Sequence, residues 1–401
     1  MNRVLVVSYH FPPEGGVAVQ RVQKFVKFLP NFGYLPVVLT AQHPLKKYDD
    51  SPLKSFFPEV EIHRTRDWMA YFPGEIRKLI KKISFPDKHV FWKWTAIRRG
   101  IKLVKKYNID IVFSSSPPHS VQLIAMEIAR KTGAKHVSDF RDEWSGDLNF
   151  GKLPAPVRQQ RLEKEICTQS AAIITLLSSA QRNFTRLAPA SKVHVIPNGF
   201  DPDDFPQNGK LKSSSKKLKL VYCGRFSNKA SPTAFFAALS AQLTESPALK
   251  DKLHVQIIGA TGNKSWLKKF ANLHSIVEFL PFQPHKKCLE LMRDADILLL
   301  FASNDGKKEG IPAKTFEYFY LQKPVFLVVD TPGELSVLLE MYRNVYIGFK
   351  SIEKTIQQQI ENLVSDFDNG TPAKAVDAAF IHQFDRKLQT QKLARIFDSL
   401  I

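Results

Sequence analysis

Two glutamates with seven residues between them form the clearest chemical pattern in the chain. Glu309 and Glu317 lie in the segment EGIPAKTFEYFYLQKP (309–324), which stands between two apolar runs typical of buried strands. Gly310 and Pro312 favour a helix start there, and α-helix geometry then places Glu317 about two turns further on. A carboxylate at that position can accept hydrogen bonds from both hydroxyls of a ribose. The alternative is a helix with two unrelated glutamates, since glutamate is a common helix former.

A glycine pair and a pair of cations follow two other predicted strands. Gly15 and Gly16 precede a helix start near Val17, where backbone N–H groups can approach an anion and the helix dipole favours phosphate. Arg225 and Lys229 follow the run LKLVYC, and they can bind a diphosphate through a bidentate guanidinium and a point charge. The alternatives are an ordinary tight turn at the glycines and solvated surface charges at the two cations.

Titratable side chains also follow two predicted strands in the N-terminal half. His119, in the loop SSSPPHS, stands beside a helix start and can hydrogen-bond a sugar hydroxyl or transfer a proton. A helix-capping or merely exposed histidine is the alternative. Asp139, Arg141 and Asp142, in DFRDEW, are predicted to lie at the rim of the same loop cluster. The alternative for these three is an internal ion pair between arginine and aspartate.

Patterns for a metal or a covalent nucleophile are weak. Asp201 with Asp203, and Asp294 with Asp296, each spell DxD, but the second pair leads directly into a buried strand, so we predict no metal site. The serines that precede His119 do not form a GxSxG elbow. The cysteines are odd in number and lack CxxC spacing, which favours free thiols in a reducing compartment: Cys167, Cys223 and Cys288.

Short apolar runs alternate with amphipathic stretches along the chain, and this alternation predicts parallel sheets with helices on both faces. A first series extends from VLVV (4–7) to VHVIP (193–197). A second series extends from LKLVYC (218–223) to VYIGF (345–349), and the polar stretch PQNGKLKSSSKKL (206–218) separates the two. We therefore predict an α/β chain of two Rossmann-like, doubly wound parallel-sheet domains.

The domains are predicted at 1–205 and 206–380, and a C-terminal helix in 381–401 is expected to pack back on the first domain. Ligands of open α/β sheets bind outside the carboxyl ends of the strands. Two such domains are expected to face each other across a cleft lined by the loops named above. The candidate residues follow predicted strands, so they are expected to line this cleft.

The composition is that of a globular protein with an anionic partner. The 401 residues are 44% hydrophobic and carry 58 basic against 38 acidic side chains, for a net charge of +20. Nucleic acid, a membrane surface and a phosphorylated substrate are all compatible with that charge. The start of the chain lacks a signal-peptide core, and no run of 18 apolar residues occurs. These features predict a cytoplasmic chain without a spanning segment.

Much of the positive charge is concentrated in one segment. Residues 75–106 hold eleven Lys or Arg and two Asp or Glu, interleaved with Phe85, Phe91, Trp92 and Trp94. This pattern is typical of a surface that docks on anionic lipid. The alternative is a solvated basic face over ordinary core aromatics, because long basic side chains often cover apolar surface.

Several of these motifs, taken in order, resemble those of a known enzyme family. The matching pieces are FPPEGGVAVQR, SSSPPHS, DFRDEW, VIPNGFD, GRFSNK and EGIPAKTFEYFYLQKP, and the resemblance covers nearly the whole chain. They are similar to the GT-B, family-4 retaining glycosyltransferases that use nucleotide sugars, in a branch seen in bacterial surface-polysaccharide clusters. The GT-B fold implied by this resemblance agrees with the two predicted domains.

The resemblance also implies roles for individual residues. It assigns donor binding to the glycine pair, the two cations and the glutamate segment: Gly15, Gly16, Arg225, Lys229, Glu309, Gly310, Ile311, Pro312 and Glu317. It assigns catalytic roles to four titratable or charged side chains: His119, Arg225, Lys229 and Glu309. Asp139, Arg141 and Asp142 are the acceptor or rim residues. In this assignment the cations bind the diphosphate, Glu317 the ribose and Glu309 the transferred sugar.

The family chemistry implies a UDP- or GDP-sugar as co-substrate, no other cofactor, and a glycan or lipid-linked acceptor. Retention would follow from front-face attack, with the leaving phosphate helping to deprotonate the acceptor hydroxyl and with domain closure excluding water. The enzyme is expected at the inner face of the cytoplasmic membrane, docked through 75–106. A non-catalytic nucleotide-sugar-binding or scaffold protein is the main alternative. Nucleic-acid binding is disfavoured because no recognisable module is present.

Overall fold

A computed structural model describes residues 1–14, 16–42, 60–145, 157–206, 217–227, 231–260, 269–304 and 310–401. The chain forms two compact units. The first comprises Met1–Asn198 with Arg386–Ile401, and the second comprises Gly199–Asp385.

A seven-stranded parallel sheet organises the first unit, in the order β3-β2-β1-β4-β5-β6-β7. Its strands are β1 Asn2–Val7, β2 Tyr34–Gln42, β3 Glu61–Arg66, β4 Ile111–Ser116, β5 Lys135–Phe140, β6 Ala172–Thr175 and β7 Val193–Val195. The strand order reverses between β1 and β4, which pair directly from Val4 opposite Ile111 to Val7 opposite Ser114. The carboxyl ends of these two strands therefore flank the crevice where open α/β sheets bind ligands.

Helices cover both faces of this sheet. They are α1 Val17–Phe28, α2 Gly74–Ile83, α3 Lys93–Tyr107, α4 Ser120–Thr132, α5 Val157–Gln169, α6 Ser178–Phe184 and, from the end of the chain, Arg386–Asp398. Alternate residues of β1 enter opposite cores: Val4 and Val6 pack in one, Leu5 and Val7 in the other. An uninterrupted apolar run such as VLVV is the pattern of a strand that is buried on both faces.

A six-stranded parallel sheet organises the second unit, in the order β10-β9-β8-β11-β12-β13. Its strands are β8 Leu218–Cys223, β9 Leu253–Ile258, β10 Val277–Leu280, β11 Ile297–Phe301, β12 Val325–Val329 and β13 Val345–Phe349. Here the order reverses between β8 and β11. The carboxyl ends of β8 and β11 are thus the expected place for a ligand of this unit.

The helices of the second unit are α7 Thr233–Glu245, α8 Leu249–Lys252, α9 His285–Arg293, α10 Lys314–Leu321, α11 Glu334–Tyr342, α12 Glu353–Asp368 and α13 Ala378–His382. The helix Arg386–Asp398 of the first unit is α14 in chain order. Two apolar cores flank the sheet, one against α7 and α12 and the other against α9, α10 and α11.

The boundary between the units differs from the predicted position. The chain enters the second unit after Asn198, ahead of the polar stretch 206–218, and returns at Arg386. The reason lies in two aromatic residues that follow the first crossing. Phe200 and Phe205 are buried in the second unit's core, where both pack on Tyr320. The polar stretch gave a later boundary because the polarity of a segment does not show in which unit the neighbouring aromatic residues are buried.

The C-terminal helix packs in the first unit against α1, and Phe397 is fully buried there. Asp398 accepts a hydrogen bond of 2.7 Å from the hydroxyl of Tyr34. The predicted α/β class with two doubly wound parallel sheets is confirmed. Among the described residues, no helix combines the length and apolar character that crossing a bilayer requires.

Candidate functional site

The turn after β8 places Arg225 at the carboxyl end of that strand. Gly224 has a φ of 148°, a backbone conformation that side chains rarely allow, and its N–H donates to Ile258 O at 2.9 Å. The Tyr222 hydroxyl donates to Arg225 O at 3.1 Å, so the turn is fixed on both sides of the glycine. The Arg225 side chain is exposed beyond it. Lys229, its predicted partner, lies outside the described residues.

A second cation, which the motif analysis did not identify, lies beneath this turn. Lys314 Nζ donates to Cys223 O at 2.7 Å and lies 3.9 Å from the centre of the Tyr222 ring. A Cβ placed on Gly224 would come within 2.6 Å of the same ammonium. Burial lowers the pKa of Lys314 to about 8. That shift corresponds to a cost of roughly 3 kcal/mol for keeping the charge at neutral pH.

Glu317 lies on the same helix as Lys314 and is paired with a histidine. Glu317 Oε1 is 2.8 Å from His285 Nε2, the first residue of α9. The hydrogen bond to Glu317 raises the pKa of His285. The carboxylate side chain is 16% exposed, so one of its edges reaches the surface. The sequence placed Glu317 correctly on a helix but gave no sign of His285.

The helix that carries Glu317 begins later than predicted. Residues 310–312 precede α10, and Pro312 O accepts a hydrogen bond from Thr315 N at 3.0 Å. Glu317 therefore lies in the first turn of α10 and not about two turns inside a helix. Gly310 is exposed, and Ile311 packs against the core beside α10. Glu309 lies outside the described residues.

In the first unit, Gly16 lies immediately before α1. Its φ is 113°, it is exposed, and a Cβ built on it would meet no atom within 4 Å. The open space fits the predicted approach of an anion, while the positive φ alone also fits the tight-turn alternative. Gly15 lies outside the described residues.

His119 follows β4 and stacks on an aromatic ring. Its imidazole lies 4.6 Å from the Trp144 ring, with an angle of 6° between the two planes. Asp87 caps the helix that follows, accepting from Ser120 N at 2.8 Å and from Ser120 Oγ at 3.0 Å. The capping function in this loop thus belongs to Asp87, which leaves His119 half-buried on the indole.

Asp139 is not at the rim of the loop cluster. It is fully buried, and its carboxylate accepts from Arg21 Nη2 at 2.8 Å and from Ser115 Oγ at 2.6 Å. Arg21 is itself 1% exposed. The ion-pair alternative therefore describes Asp139, although its partner comes from α1 and not from the neighbouring Arg141. A carboxylate that is enclosed in this way cannot contact an acceptor.

Arg141 and Asp142, directly after β5, have different environments. The Arg141 guanidinium donates to Ser116 O at 3.1 Å and also to Pro117 O, and burial lowers its pKa. It thereby ties β5 to the loop that carries His119. Asp142 is exposed at the surface. Of the three rim candidates, only Asp142 has the exposure that an acceptor contact requires.

A further imidazole–carboxylate pair lies at the carboxyl end of β1. His10 Nδ1 is 2.7 Å from Glu14 Oε2, and both side chains are partly exposed. The ring of His10 also lies 6.2 Å from that of His89. Sequence reasoning passed over this pair because a histidine and a glutamate four residues apart carry no motif. A shared position in the loop after a switch-point strand is the signal that could have found them.

In each acidic pair with DxD spacing, one carboxylate accepts a hydrogen bond from a backbone N–H group. Asp296 Oδ2 accepts from Lys219 N at 2.8 Å, and Asp201 Oδ1 accepts from Asp203 N at 3.0 Å. In the described ranges, no group of three or more His, Cys, Asp or Glu side chains is arranged to hold a metal ion.

Two family models match consecutive parts of the chain. The model described as Glycosyltransferase Family 4 matches residues 14–204, and the model described as Glycosyl transferases group 1 matches residues 203–377. Together with the two parallel-sheet units, these matches define a GT-B glycosyltransferase. The chain is a family-4-like glycosyltransferase.

Solved structures share this fold over the whole chain. Sucrose-phosphate synthase from Thermosynechococcus elongatus is 13% identical, with a TM-score of 0.70 and coverage of 100% of this chain and 99% of that one. The apo form of the lipopolysaccharide outer core galactosyltransferase WaaB is 13% identical, with a TM-score of 0.63 and full coverage of both chains. UDP-GlcNAc 2-epimerase from Neisseria meningitidis, bound to UDP-GlcNAc, is 12% identical, with a TM-score of 0.59 and coverage of 99% and 100%. No curated protein sequence matches the chain.

Proposed function

We propose that this chain is a retaining, metal-independent glycosyltransferase that moves a sugar from a nucleoside diphosphate donor to a glycan or lipid-linked acceptor. The observation that carries the proposal is the charge arrangement at the end of β8 and on α10. There, the half-buried ammonium of Lys314 lies under the turn that presents Arg225. Removing a cation from water is energetically unfavourable, and a bound anion compensates for that cost. A desolvated cation is therefore typical of an anion-binding site.

The leaving group of this reaction is a nucleoside diphosphate, on which negative charge grows as the glycosidic bond breaks. Fixed cations near that charge stabilise the transition state more than the ground state. Arg225 and Lys314 supply such charge from the second unit, and Lys229 adds to it by the family resemblance. By the family resemblance, the backbone at Gly16 also approaches the donor phosphates.

Glu317 is the ribose ligand in this proposal. Its carboxylate is held by His285, which orients one oxygen and leaves the partly exposed edge for sugar hydroxyls. Glu309 and the backbone of residues 310–312 bind the transferred sugar by the family resemblance. Attack from the front face, with the leaving phosphate accepting the acceptor proton, gives retention without a covalent enzyme intermediate.

UDP is the first nucleotide to test. The Neisseria meningitidis epimerase of the same fold is bound to UDP-GlcNAc, and a Staphylococcus aureus structure of this fold is a co-structure with UDP. GDP is the second candidate. The galactosyltransferase among the similar structures acts on lipopolysaccharide outer core, which favours an acceptor in cell-surface polysaccharide synthesis for this chain as well.

The surface of α2 suits docking on a membrane, where a lipid-linked acceptor would be found. Ile76, Leu79 and Ile83 share one face of this helix and are 46%, 65% and 75% exposed. Arg77 and Lys81 lie on the same helix. We propose an anionic bilayer at the inner face of the cytoplasmic membrane as the occupant of this face, because exposed apolar side chains flanked by basic ones complement acidic headgroups.

The aromatic residues of 75–106 divide between core and surface. Trp92 is buried and donates from Nε1 to Thr65 Oγ1 at 2.8 Å. Trp94, in contrast, is 54% exposed and packs on Phe91. Trp92 is therefore an ordinary core residue, as the alternative of a solvated basic face over core aromatics predicts. Trp94 and the apolar face of α2 are exposed and available to a membrane.

Turnover of the purified chain tests the function. UDP- and GDP-sugars are first screened for thermal stabilisation, since a ligand of the native state raises its apparent stability. The stabilising donor is then incubated with lipid-linked and glycan acceptors in the presence of EDTA, and the anomeric configuration of the product is determined by NMR. Product with retained configuration, and its loss in folded Glu317→Ala, is the expected result. Donor binding without transfer to any acceptor would favour the scaffold alternative.

A further inference from the structure

Two cysteines of the second unit lie close to each other and to Lys314 and His285. Cys223 is the last residue of β8, and Cys288 lies in the first turn of α9. The Cys223 sulfur lies 3.9 Å from Cys288 O, and each thiol shifts the pKa of the other. Residues that are 65 apart in the chain are thus brought together by the packing of α9 on β8.

The two thiols differ in access and in charge. Cys288 is half-buried and Cys223 is buried, so a small oxidant from solvent reaches Cys288 first. The hydrogen bond from Cys223, followed by the nearby His285 and Lys314 cations, lowers the pKa of Cys288 to about 7 although burial and Glu317 oppose the shift. The hydrogen bond to Cys288 and burial raise the pKa of Cys223. Cys288 therefore has the thiolate character of a reactive cysteine, and Cys223 that of a resolving partner.

Both cysteines are connected directly to residues of the proposed donor site. Cys223 O is the acceptor for Lys314 Nζ, and Cys223 precedes the Gly224 turn. Cys288 is one helical turn after His285, which holds Glu317. A covalent bond between the sulfurs would draw them to about 2.05 Å and move α9 relative to the end of β8. The Arg225 turn follows β8, and His285, the partner of Glu317, begins α9, so such a movement would disturb both.

We propose that Cys288 and Cys223 are a peroxide-sensitive thiol pair whose disulfide weakens donor binding. In the first step the Cys288 thiolate attacks an oxygen of hydrogen peroxide, an S–O bond forms, the O–O bond breaks and hydroxide leaves. In the second step the Cys223 sulfur attacks the Cys288 sulfenic acid, an S–S bond forms, the S–O bond breaks and the remaining oxygen leaves as water. The Cys223 proton completes that water, and the proton that Cys288 released on ionising neutralises the hydroxide of the first step. Two thiols thus lose two electrons in total and one peroxide becomes two waters.

The remaining cysteine is an internal control. Cys167 is fully buried in the first unit, and burial raises its pKa. Peroxide should therefore consume two of the three thiols, and Cys288 should react at least about tenfold faster than Cys167 because thiolate character and exposure control the rate. A thiol that reacted only because the protein had unfolded would show no such order.

The experiment treats the full chain with hydrogen peroxide near neutral pH and follows free thiols, with mass spectrometry of tryptic peptides. The expected product is a peptide pair joined through Cys223 and Cys288, both in the wild type and in Cys167→Ser. In Cys223→Ser the expected product is a Cys288 sulfenic acid that dimedone traps. In Cys288→Ser the fast phase should vanish. Trapping in the unaltered chain before the disulfide forms provides a second readout that needs no variant.

Absence of the linked peptide, or equal rates at Cys167 and Cys288, would overturn the thiol pair. The effect on the donor rests on the proposed function and is measured separately, as the affinity for UDP and for GDP before oxidation, after it and after dithiothreitol. We expect about tenfold weaker binding in the oxidised chain, with full recovery on reduction. A disulfide that leaves the affinity unchanged would overturn the effect on the donor. A reduced chain that binds neither nucleotide would overturn the proposed function and leave the thiol chemistry intact.

Discussion

Lys314 Nζ donates a hydrogen bond of 2.7 Å to Cys223 O and lies directly beneath the Gly224 turn. A half-buried ammonium that binds the backbone of the loop carrying Arg225 has two effects. It fixes the direction of that loop, and it adds positive charge where the donor diphosphate is proposed to bind. The two effects predict different responses to substitution and to pH.

Replacement of Lys314 separates stability from donor affinity. Lys314→Met should weaken nucleotide binding by roughly 10- to 100-fold, because one charge-assisted contact is lost. Its free energy of unfolding is expected to rise, since a partly desolvated charge is removed. Calorimetric titration with UDP and chemical denaturation measure the two quantities. Lys287→Met, at an exposed lysine that pairs with Glu290, is the matched control.

The pH dependence of donor binding follows from the same residue. Because burial lowers the pKa of Lys314 to about 8, the ammonium loses its proton as the pH rises through that value, and affinity for an anion should fall above it. The unfolded chain binds this proton more tightly, so the stability of the protein should rise between about pH 8 and pH 10.5. Both slopes should disappear in Lys314→Met. A donor affinity that stays constant from pH 7 to pH 10 would contradict the assignment of Lys314 to the diphosphate.

The His285–Glu317 pair can be tested by NMR titration. Glu317→Gln should return the pKa of His285 towards its ordinary value and weaken donor binding, because the carboxylate both raises that pKa and is proposed to bind the ribose. The stabilisation from the pair is complete below the unfolded pKa of histidine and is lost as the pH rises through the raised value in the folded chain. An unchanged His285 titration in Glu317→Gln would show that the two side chains do not pair in solution.

The buried Arg21–Asp139 pair should affect stability and not chemistry. Asp139→Asn or Arg21→Leu should each lower the free energy of unfolding by about 3–5 kcal/mol, since each leaves its partner buried without a compensating charge. The turnover per folded molecule should stay near that of the wild type. Breaking the exposed pair of Arg130 and Glu127 by Glu127→Gln is the control, with an expected effect below about 1 kcal/mol. A specific loss of turnover at full stability would restore Asp139 as a site residue.

The stacked histidine is predicted to act in the reaction itself. His119→Phe keeps an aromatic ring against Trp144 and removes both ring nitrogens, so the fold should be kept while kcat falls by about 100-fold. Rates with saturating donor, together with Tm, separate the two effects. A variant with normal kcat would show that the imidazole serves only to pack on the indole.

Membrane docking is predicted to depend on the apolar face of α2. Leu79→Glu with Ile83→Ser should reduce co-sedimentation with vesicles of phosphatidylglycerol and phosphatidylcholine, without change in transfer to a water-soluble acceptor. Raised salt should weaken binding of the wild type, because screening acts on the basic side chains. Val337→Ser, at an exposed apolar residue of the second unit, is the control. Wild-type binding that is equal on neutral and on anionic vesicles would contradict the charge-based docking.

The sheets could be predicted because strand residues are adjacent in the chain. LKLVYC and ILLLF became β8 and β11, since an unbroken apolar run fits a strand covered on both faces. The partners of the candidate site residues could not be predicted in this way. Arg21 and Asp139 are 118 residues apart, and nothing in the local sequence distinguishes either from a surface charge.

The helix carrying Glu317 shows a further limit of sequence patterns. Glycine and proline at 310 and 312 are compatible with a helix start, but hydrogen bonding places the start of α10 at Lys314. The same helix contains Lys314, which in the sequence resembles any helix-forming surface lysine. Its tertiary position, half-buried beneath the Gly224 turn, is what makes it a candidate for anion binding.

The chain leaves the first unit after Asn198 and re-enters it at Arg386, and these two residues are hydrogen-bonded neighbours, with Nη2 of the arginine 3.3 Å from Oδ1 of the asparagine. The second unit is therefore an insertion whose entry and exit lie side by side in the folded chain. Residues 199–385 can then be exchanged for the matching unit of a related enzyme with both junctions at one place. Under the proposed function, such an exchange would recombine donor choice and acceptor choice independently in one polypeptide.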